Sequence, residues 1–324
     1  MLKNKGCIHS PPLIKTTENK DNKEKEDMYE YSMDVDAEEQ RVHNIILKHF
    51  SDPLLPDDSF INPFHHFYTY VKLKPRNDNY LIFCFPGGKY STLGNHLHNH
   101  RSPKEFIHLF IYSLMHLCDS LELLNKISLI HGHLNIYNNI LVEQPTMHET
   151  VDNRPLIADC SMTLNTLLTN PYDPSNIYIP MELHIFQYMT QNKLQSISEQ
   201  NLEDILYDVF VDNKLMDPAI ATKVALEALD YLSPIYINKT ALCIRQTVCQ
   251  SSHTWDIYAL CANYKVVLKE FRVSLEYSKH VELCMRLFHL NMHVNPQHRK
   301  DATYIKNAIQ KIFSSKRVCI GVDN

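Results

Sequence analysis

Apolar residues recur at helical spacing over most of the chain beyond residue 100. The longest pattern starts with SPKE, a capping box with Ser102 as N-cap, proline at the first helical position and Glu105 at the third. A broad apolar face follows over residues 106–124. The same spacing predicts further helices at 198–211, 219–231, 256–270, 277–290 and 301–313. The C-terminal part is therefore predicted to be mainly helical.

The N-terminal part has a different pattern. Helical spacing predicts a helix at 36–50, whereas aromatic and β-branched residues predict paired strands at 60–73 and 80–85. The polar stretch KTTENKDNKEKED, 15–27, predicts a disordered loop. PGG at 86–88 breaks the sheet. The predicted regions are a small strand-rich part at 1–85, a hinge at 86–94 and a helical part at 95–324.

Composition is that of an ordinary globular protein. Of the 324 residues, 44% are apolar and 21% are charged, with a formal net charge of −5. Because this balance implies no basic face, we expect no nucleic-acid partner. The N-terminal sequence MLKNKGCIHSPPLIK lacks the apolar core of a signal peptide, and we find no continuous apolar run of about 18 residues. We therefore expect no membrane partner and an intracellular location, cytoplasmic or nuclear.

Cysteine and histidine patterns bear on metals and redox state. The nine cysteines are scattered and form no C-x-x-C pair, which predicts reduced thiols and no disulfides. His96, His98 and His100 in HLHNH have a spacing that invites zinc. They fall in a polar stretch before a helix without a nearby cysteine, which favours a solvated face. We therefore expect no zinc.

The stretch LIHGHLNIYNNILV, 129–142, combines two histidines around a glycine with two asparagines and an apolar run. It resembles the catalytic loop H-R-D-L-x-x-x-N of the eukaryotic-type protein kinase superfamily, with His131 and Asn138 at its ends. Four more motifs resemble those of the family, in the same order, so that the resemblance covers residues 80–302. They are Asp159-Cys160-Ser161 for D-F-G, Pro180-Met181-Glu182 for A-P-E, WDIYALC (255–261) for D-V-W-S-L-G, and NPQHRKDA (295–302) for D-P-x-x-R-x-x-A.

This resemblance implies an α+β, bilobal protein-kinase-like fold with a small reduced β-lobe and a larger, mainly helical C-lobe. It assigns structural roles to His131, to Asp256 as a brace for the backbone of the catalytic loop, and to a Glu182–Arg299 pair. It also assigns Asn138 and Asp159 to the metal side of a magnesium–ATP site.

The N-terminus carries a looser resemblance. GCIHSPPL, 6–13, is similar to the second half of the glycine-rich loop in kinases of large DNA viruses, and Gly6 would be its remaining nucleotide-binding glycine. A viral source would place the protein inside the host cell.

Three groups that phosphoryl transfer needs are replaced. The glycine loop keeps only Gly6, although close backbone approach to phosphates requires several glycines. The predicted strand DMYEYSM, 27–33, has no lysine, and Glu30 or Tyr31 takes its place. His133 stands at the catalytic aspartate, and Gly132 stands at the arginine before it.

These replacements favour a pseudokinase that regulates or scaffolds protein partners, such as a true kinase or its substrates. Binding of Mg-ATP through Asn138 and Asp159 stays open, since Asn138 could instead stabilise the loop by hydrogen bonds and Asp159 could merely end a strand. The alternative is an active, atypical Ser/Thr protein kinase with His133 as base. A small-molecule kinase of related fold is a third reading.

Overall fold

The computed structural model describes part of the chain, and every structural statement below concerns that part. The described residues are 29–34, 69–70, 80–85, 89–99, 102–126, 129–144, 155–157, 164–211, 218–270 and 278–314. The loop predicted at 15–27, the helix at 36–50 and most of the strand at 60–73 lie outside them.

The strands form two small antiparallel sheets. The first has the order β1-β3-β2 and the second the order β4-β5-β6. Tyr31 of β1 and Tyr70 of β2 both pair with Phe83 of β3. The strands are β1 Tyr29–Asp34, β2 Thr69–Tyr70, β3 Tyr80–Phe85, β4 Lys89–Thr92, β5 Ile140–Gln144 and β6 Pro155–Ile157. Strand β4, which pairs with β5, thus lies within the predicted hinge at 86–94.

Helices make up most of the remaining described residues, so the fold is α+β and mainly helical, as predicted. They are α1 Leu93–His98, α2 Pro103–Lys126, α3 Leu164–Thr169, α4 Met181–Gln191, α5 Glu199–Val211, α6 Pro218–Tyr236, α7 Ala241–Gln250, α8 Trp255–Glu270, α9 Ser278–Asn291 and α10 Ala302–Ser314. Short 3-10 turns at Ser252–Thr254 and Pro296–His298 precede α8 and α10.

The predicted helices are confirmed where the capping residues and the apolar spacing in the sequence are clear. Ser102 caps α2, because its Oγ accepts the backbone N–H of Glu105 at 3.2 Å. The five helices predicted after residue 190 correspond to α5, α6, α8, α9 and α10 within one or two residues, except that α6 continues to Tyr236. Helices α1, α3, α4 and α7 were not predicted.

Two hydrophobic cores meet at α8. The first joins α2, β5 and β6 to α8, α9 and α10, and the second joins α3 through α7. Trp255, the first residue of α8, belongs to the second core, whereas Ile257 and the apolar residues after it belong to the first. Helix α8 is therefore buried on nearly every side, and any polar side chain on it needs a partner inside the protein.

Helix α2 is long and apolar enough to cross a membrane by length and composition alone. Phe110, Leu114 and Leu117 on its apolar face are fully buried in the first core. The central helix of a folded core passes the same test, so the absence of a membrane partner stays a prediction.

Candidate functional site: a polar loop held on a buried helix

Residues 131–139 form an irregular loop directly before β5, and α8 supplies its main anchor. The Asp256 carboxylate accepts the backbone N–H of His131 at 2.8 Å and that of Gly132 at 2.7 Å. Burial raises the pKa of Asp256 above its ordinary value, while His131 and the two amide N–H groups act in the opposite direction. Asp256 thus fixes the start of the loop through its backbone.

Asn263 provides a second anchor on α8. Its Oδ1 accepts the N–H of Ile136 at 3.1 Å, and its Nδ2 donates to the carbonyl of Leu134 at 2.9 Å. Asn263 follows Asp256 by seven residues, or two helical turns, so both side chains lie on one side of α8 about 10 Å apart. The buried helix therefore holds the loop at two points.

The loop also braces itself through asparagines. Asn139 is buried; its Oδ1 accepts the N–H of Asn135 at 2.8 Å and its Nδ2 donates to the carbonyl of His133 at 2.6 Å. The N–H of His133 donates to Nδ1 of His131 at 3.3 Å. The backbone of His133 is thus fixed on both sides, while its imidazole is half-buried.

Asn138, the predicted metal-side residue, has an exposed side chain. Asn139, the next residue, is buried and makes side-chain hydrogen bonds within the loop. The bonds that brace the loop thus belong to Asn139 and not to Asn138. The metal-side role of Asn138 stays a prediction.

We expect Asn139→Ala to lower the free energy of unfolding by about 1–3 kcal/mol, because it leaves two part-buried backbone groups without partners. Asn138→Ala is the matched control and should change that free energy by less than about 0.5 kcal/mol. Urea unfolding followed by circular dichroism measures both. Equal effects of the two substitutions would contradict this assignment.

Gly132 is required by backbone conformation and by space. Its φ is +75°, and an added Cβ would lie 2.1 Å from Cδ1 of Leu167 on α3. A longer side chain cannot occupy this position unless Leu167 and the loop move. The packing of the loop against α3 therefore leaves no room for an arginine at position 132.

The buried Glu182–Arg299 pair is the second conspicuous feature. Glu182 lies in the first turn of α4 and Arg299 follows the turn Pro296–His298. The guanidinium donates from Nη1 to Oε1 at 2.6 Å and from Nη2 to Oε2 at 2.8 Å. Both side chains are essentially inaccessible to solvent, at 1% and 0% exposure. A bidentate pair of this kind joins two distant parts of the chain.

Other groups complete this pair. Glu182 Oε1 also accepts from Trp255 Nε1 at 3.1 Å and from the Ser251 hydroxyl at 3.2 Å. Arg299 donates from Nη1 to the Thr254 hydroxyl at 3.0 Å and from Nε to the carbonyl of His293 at 2.9 Å. Nearly all hydrogen-bonding positions of both side chains are thereby used, which a buried ion pair requires.

A third polar cluster lies beside the loop at the protein surface. The Tyr137 hydroxyl donates to Glu270 Oε2 at 3.1 Å and lies 3.0 Å from Nε2 of His98, which is 3.2 Å from the same carboxylate oxygen. The Tyr137 ring packs so closely on Gly94 that an added Cβ would lie 2.2 Å from it. Burial and Glu270 raise the pKa of Tyr137 above its ordinary value. This contact joins α1, the loop and the end of α8.

Two predicted site residues, Gly6 and Asp159, lie outside the described residues. Strand β6 ends at Ile157, which pairs with Ile140, the first residue of β5. The point where the loop 131–139 joins β5 thus lies beside the last residue of β6. Asp159 follows that residue, Ile157, by two positions in the sequence.

No group of three or more metal-ligating side chains occurs within the described residues. Cys118, Cys243, Cys249, Cys261 and Cys284, whose side chains the structure describes, are free. His96 and His98 lie on α1, so the prediction of a polar loop before a helix is wrong for them. His98 contacts Tyr137 and Glu270, whereas Nε2 of His96 is buried and not on a solvated face. His100 lies outside the described residues.

Comparison with known proteins gives no family assignment. No protein-family model matches the chain, and no curated protein matches it.

Proposed function

We propose that this chain has a bilobal protein-kinase-like fold and acts as a pseudokinase, a catalytically impaired homologue that works through contacts with other proteins. The observation that carries the proposal is the pair of buried anchors. Asp256 holds the backbone of loop 131–139, and Arg299 holds Glu182. These are the contacts that the kinase resemblance assigns to the same four motifs.

The residues of the loop 131–139 support the proposed loss of phosphotransfer activity. Phosphoryl transfer needs a carboxylate that orients and deprotonates the acceptor hydroxyl. His133 stands there with a half-buried imidazole, which presents no anionic oxygen and would repel metal ions when protonated. Gly132 cannot become arginine without a clash with Leu167. Strand β1, Tyr29–Asp34, contains no lysine for the phosphates.

The nucleotide site would need oxygen ligands beyond those of the loop 131–139. Among the described residues, Asn138 offers one exposed amide oxygen, whereas a magnesium site uses several oxygen ligands. The neighbouring Asn139 already uses both of its polar atoms inside the loop. The described groups alone do not make a complete Mg-ATP site, so we assign no nucleotide chemistry to them.

Phosphotransfer by the purified full chain tests the proposal. We expect no transfer of radiolabelled γ-phosphate from ATP to the protein itself or to generic acceptors, with Mg²⁺ or Mn²⁺, above the level of an Asp159→Ala variant. Phosphorylation that depends on Asp159 would overturn the proposal and establish the active-kinase alternative. Phosphorylation of a sugar or of choline would instead identify a small-molecule kinase.

A thermal-shift titration with ATP, with and without Mg²⁺, then examines residual binding. A shift that requires Mg²⁺ and disappears in Asp159→Ala would indicate a pseudokinase that still binds nucleotide. No shift in either condition would indicate that the chain acts without nucleotide.

A further inference from the structure

Helix α4 buries two polar side chains whose hydrogen-bonding capacity is incompletely used. His184 is 1% exposed, and neither imidazole nitrogen has a hydrogen bond of normal geometry. Gln187 is 2% exposed; its Nε2 donates to the carbonyl of Leu167 at 2.9 Å, while its Oε1 has no partner. Buried polar atoms without partners are rare in native proteins, so this cluster calls for a physical explanation.

Residues 170–180, which we call the covering segment, lie over this part of α4. The ring of Tyr172 meets His184 edge-on with ring centroids 6.0 Å apart, and it meets Tyr188 in the same way at 5.2 Å. The N–H of Tyr172 donates to Oε1 of Gln191 at 2.9 Å. Ile179 is buried at the other end of the segment. The segment thus seals His184 from solvent.

Three hydrogen bonds to side-chain oxygens lie within the covering segment. Asp173 Oδ1 accepts from the N–H and the hydroxyl of Ser175, and Asn176 Oδ1 accepts the N–H of Tyr178. A segment that keeps its own short-range bonds can leave the surface beneath it at low cost. The covering segment is attached to α4 by the aromatic contacts around His184, by the hydrogen bond from Tyr172 to Gln191 and by the buried Ile179.

Burial lowers the pKa of His184 to about 4, although Asp173 and the nearby backbone of Asn176 and Ile179 favour the protonated form. Helix α3 has no charged residue. Tyr172 is the titratable ring in contact with the imidazole, and Tyr188 contacts Tyr172. The other charged side chains on α4 and on the two further helices packed against it are Glu182, Glu199, Glu203, Asp204, Asp208 and Arg245.

We propose that His184 is a proton-sensitive latch that releases the covering segment from α4 on mild acidification. Neutral His184 fits beneath the segment. Once the segment lifts, a proton from solvent binds one imidazole nitrogen, and the imidazolium is stabilised by water. The protonated side chain then opposes closure. This property belongs to the fold and does not depend on the proposed pseudokinase function.

The direction and size of the effect follow from linkage. An imidazole in water has a pKa near 6.5, whereas the covered imidazole has a pKa of about 4. The covered state is therefore fully stable above pH 6.5 and loses stability as the pH falls from 6.5 towards 4. Between pH 7.5 and 5.5 the opening equilibrium of the segment should rise about tenfold.

Hydrogen–deuterium exchange of the full chain, corrected for the intrinsic pH dependence of exchange, measures this opening. We expect the protection of peptides within 170–180 to fall about tenfold from pH 7.5 to pH 5.5 in the wild type. Peptides from α2 should keep their protection, which separates release of the segment from global unfolding. A wild-type segment with unchanged protection would overturn the proposal.

Variants assign the effect to one side chain. His184→Phe keeps a ring against Tyr172 and cannot be protonated, so the pH response of the segment should vanish. His184→Gln is a second neutral replacement if the larger ring prevents folding. His253→Gln removes an exposed histidine and should retain the wild-type response. A response that persists in either His184 variant would contradict the latch.

Discussion

Arg299→Met is expected to lower the free energy of unfolding by about 3–5 kcal/mol, the largest effect we anticipate from any single substitution. Methionine fills similar space but leaves the buried Glu182 carboxylate without its bidentate partner. Removing one member of a buried ion pair is costly because the remaining charge has already lost its hydration. Urea unfolding followed by circular dichroism at 222 nm measures the change.

Two further variants identify the cause. Arg286→Met removes an exposed partner of Glu282 on α9 and should change the free energy of unfolding by less than about 1 kcal/mol. Adding Glu182→Gln to Arg299→Met should restore part of the loss, because the amide is neutral and can still accept from Trp255. Equal costs for Arg299→Met and Arg286→Met would rule out a stabilising role for the buried pair.

Asp256→Ala should lower the free energy of unfolding by about 3 kcal/mol, the second largest expected effect. The substitution leaves the N–H groups of His131 and Gly132 without acceptors in the interior, and each unsatisfied donor costs roughly 1–3 kcal/mol. Urea unfolding gives the total, and hydrogen–deuterium exchange should show faster exchange in peptides from the loop.

The matched control is Asp301→Ala. The Asp301 carboxylate also accepts a backbone N–H, that of Tyr304 at 2.7 Å, but it does so at the surface beside α10. Its loss should cost about 1 kcal/mol, as for other helix caps. If Asp256→Ala is no more harmful, or if exchange in residues 131–139 is unchanged, the carboxylate does not hold the loop.

Periodicity predicted the helices whose two faces differ. Helix α2 has a capping box and a continuous apolar face. In α10 the buried positions recur every three or four residues, so both helices could be placed from sequence. Helix α4, MELHIFQYMTQ, buries most of its residues and lacks a polar face, and α7 is short and mixed. Their helical state depends on tertiary packing, which no local pattern contains.

The site was predictable only in part. Glu182 and Arg299 are 117 residues apart, and no local signal joins them; the resemblance to ordered kinase motifs suggested the pair. The role of Asn263 as a second anchor could have been predicted from sequence. It is a polar residue two turns after Asp256 in an otherwise apolar stretch of helix. That Asn139 rather than Asn138 braces the loop depends on the geometry of one turn, which adjacent identical residues cannot reveal.

The position of Trp255 gives the protein an internal optical reporter. It is the one tryptophan in the sequence, it lies where α8 passes between the two cores, and its indole N–H is bonded to Glu182. Indole emission responds to polarity and to nearby charge, so the fluorescence of a single buried fluorophore reports on α4, on the ion pair and on the second core together. The state of this network can therefore be followed in the wild-type chain without a label.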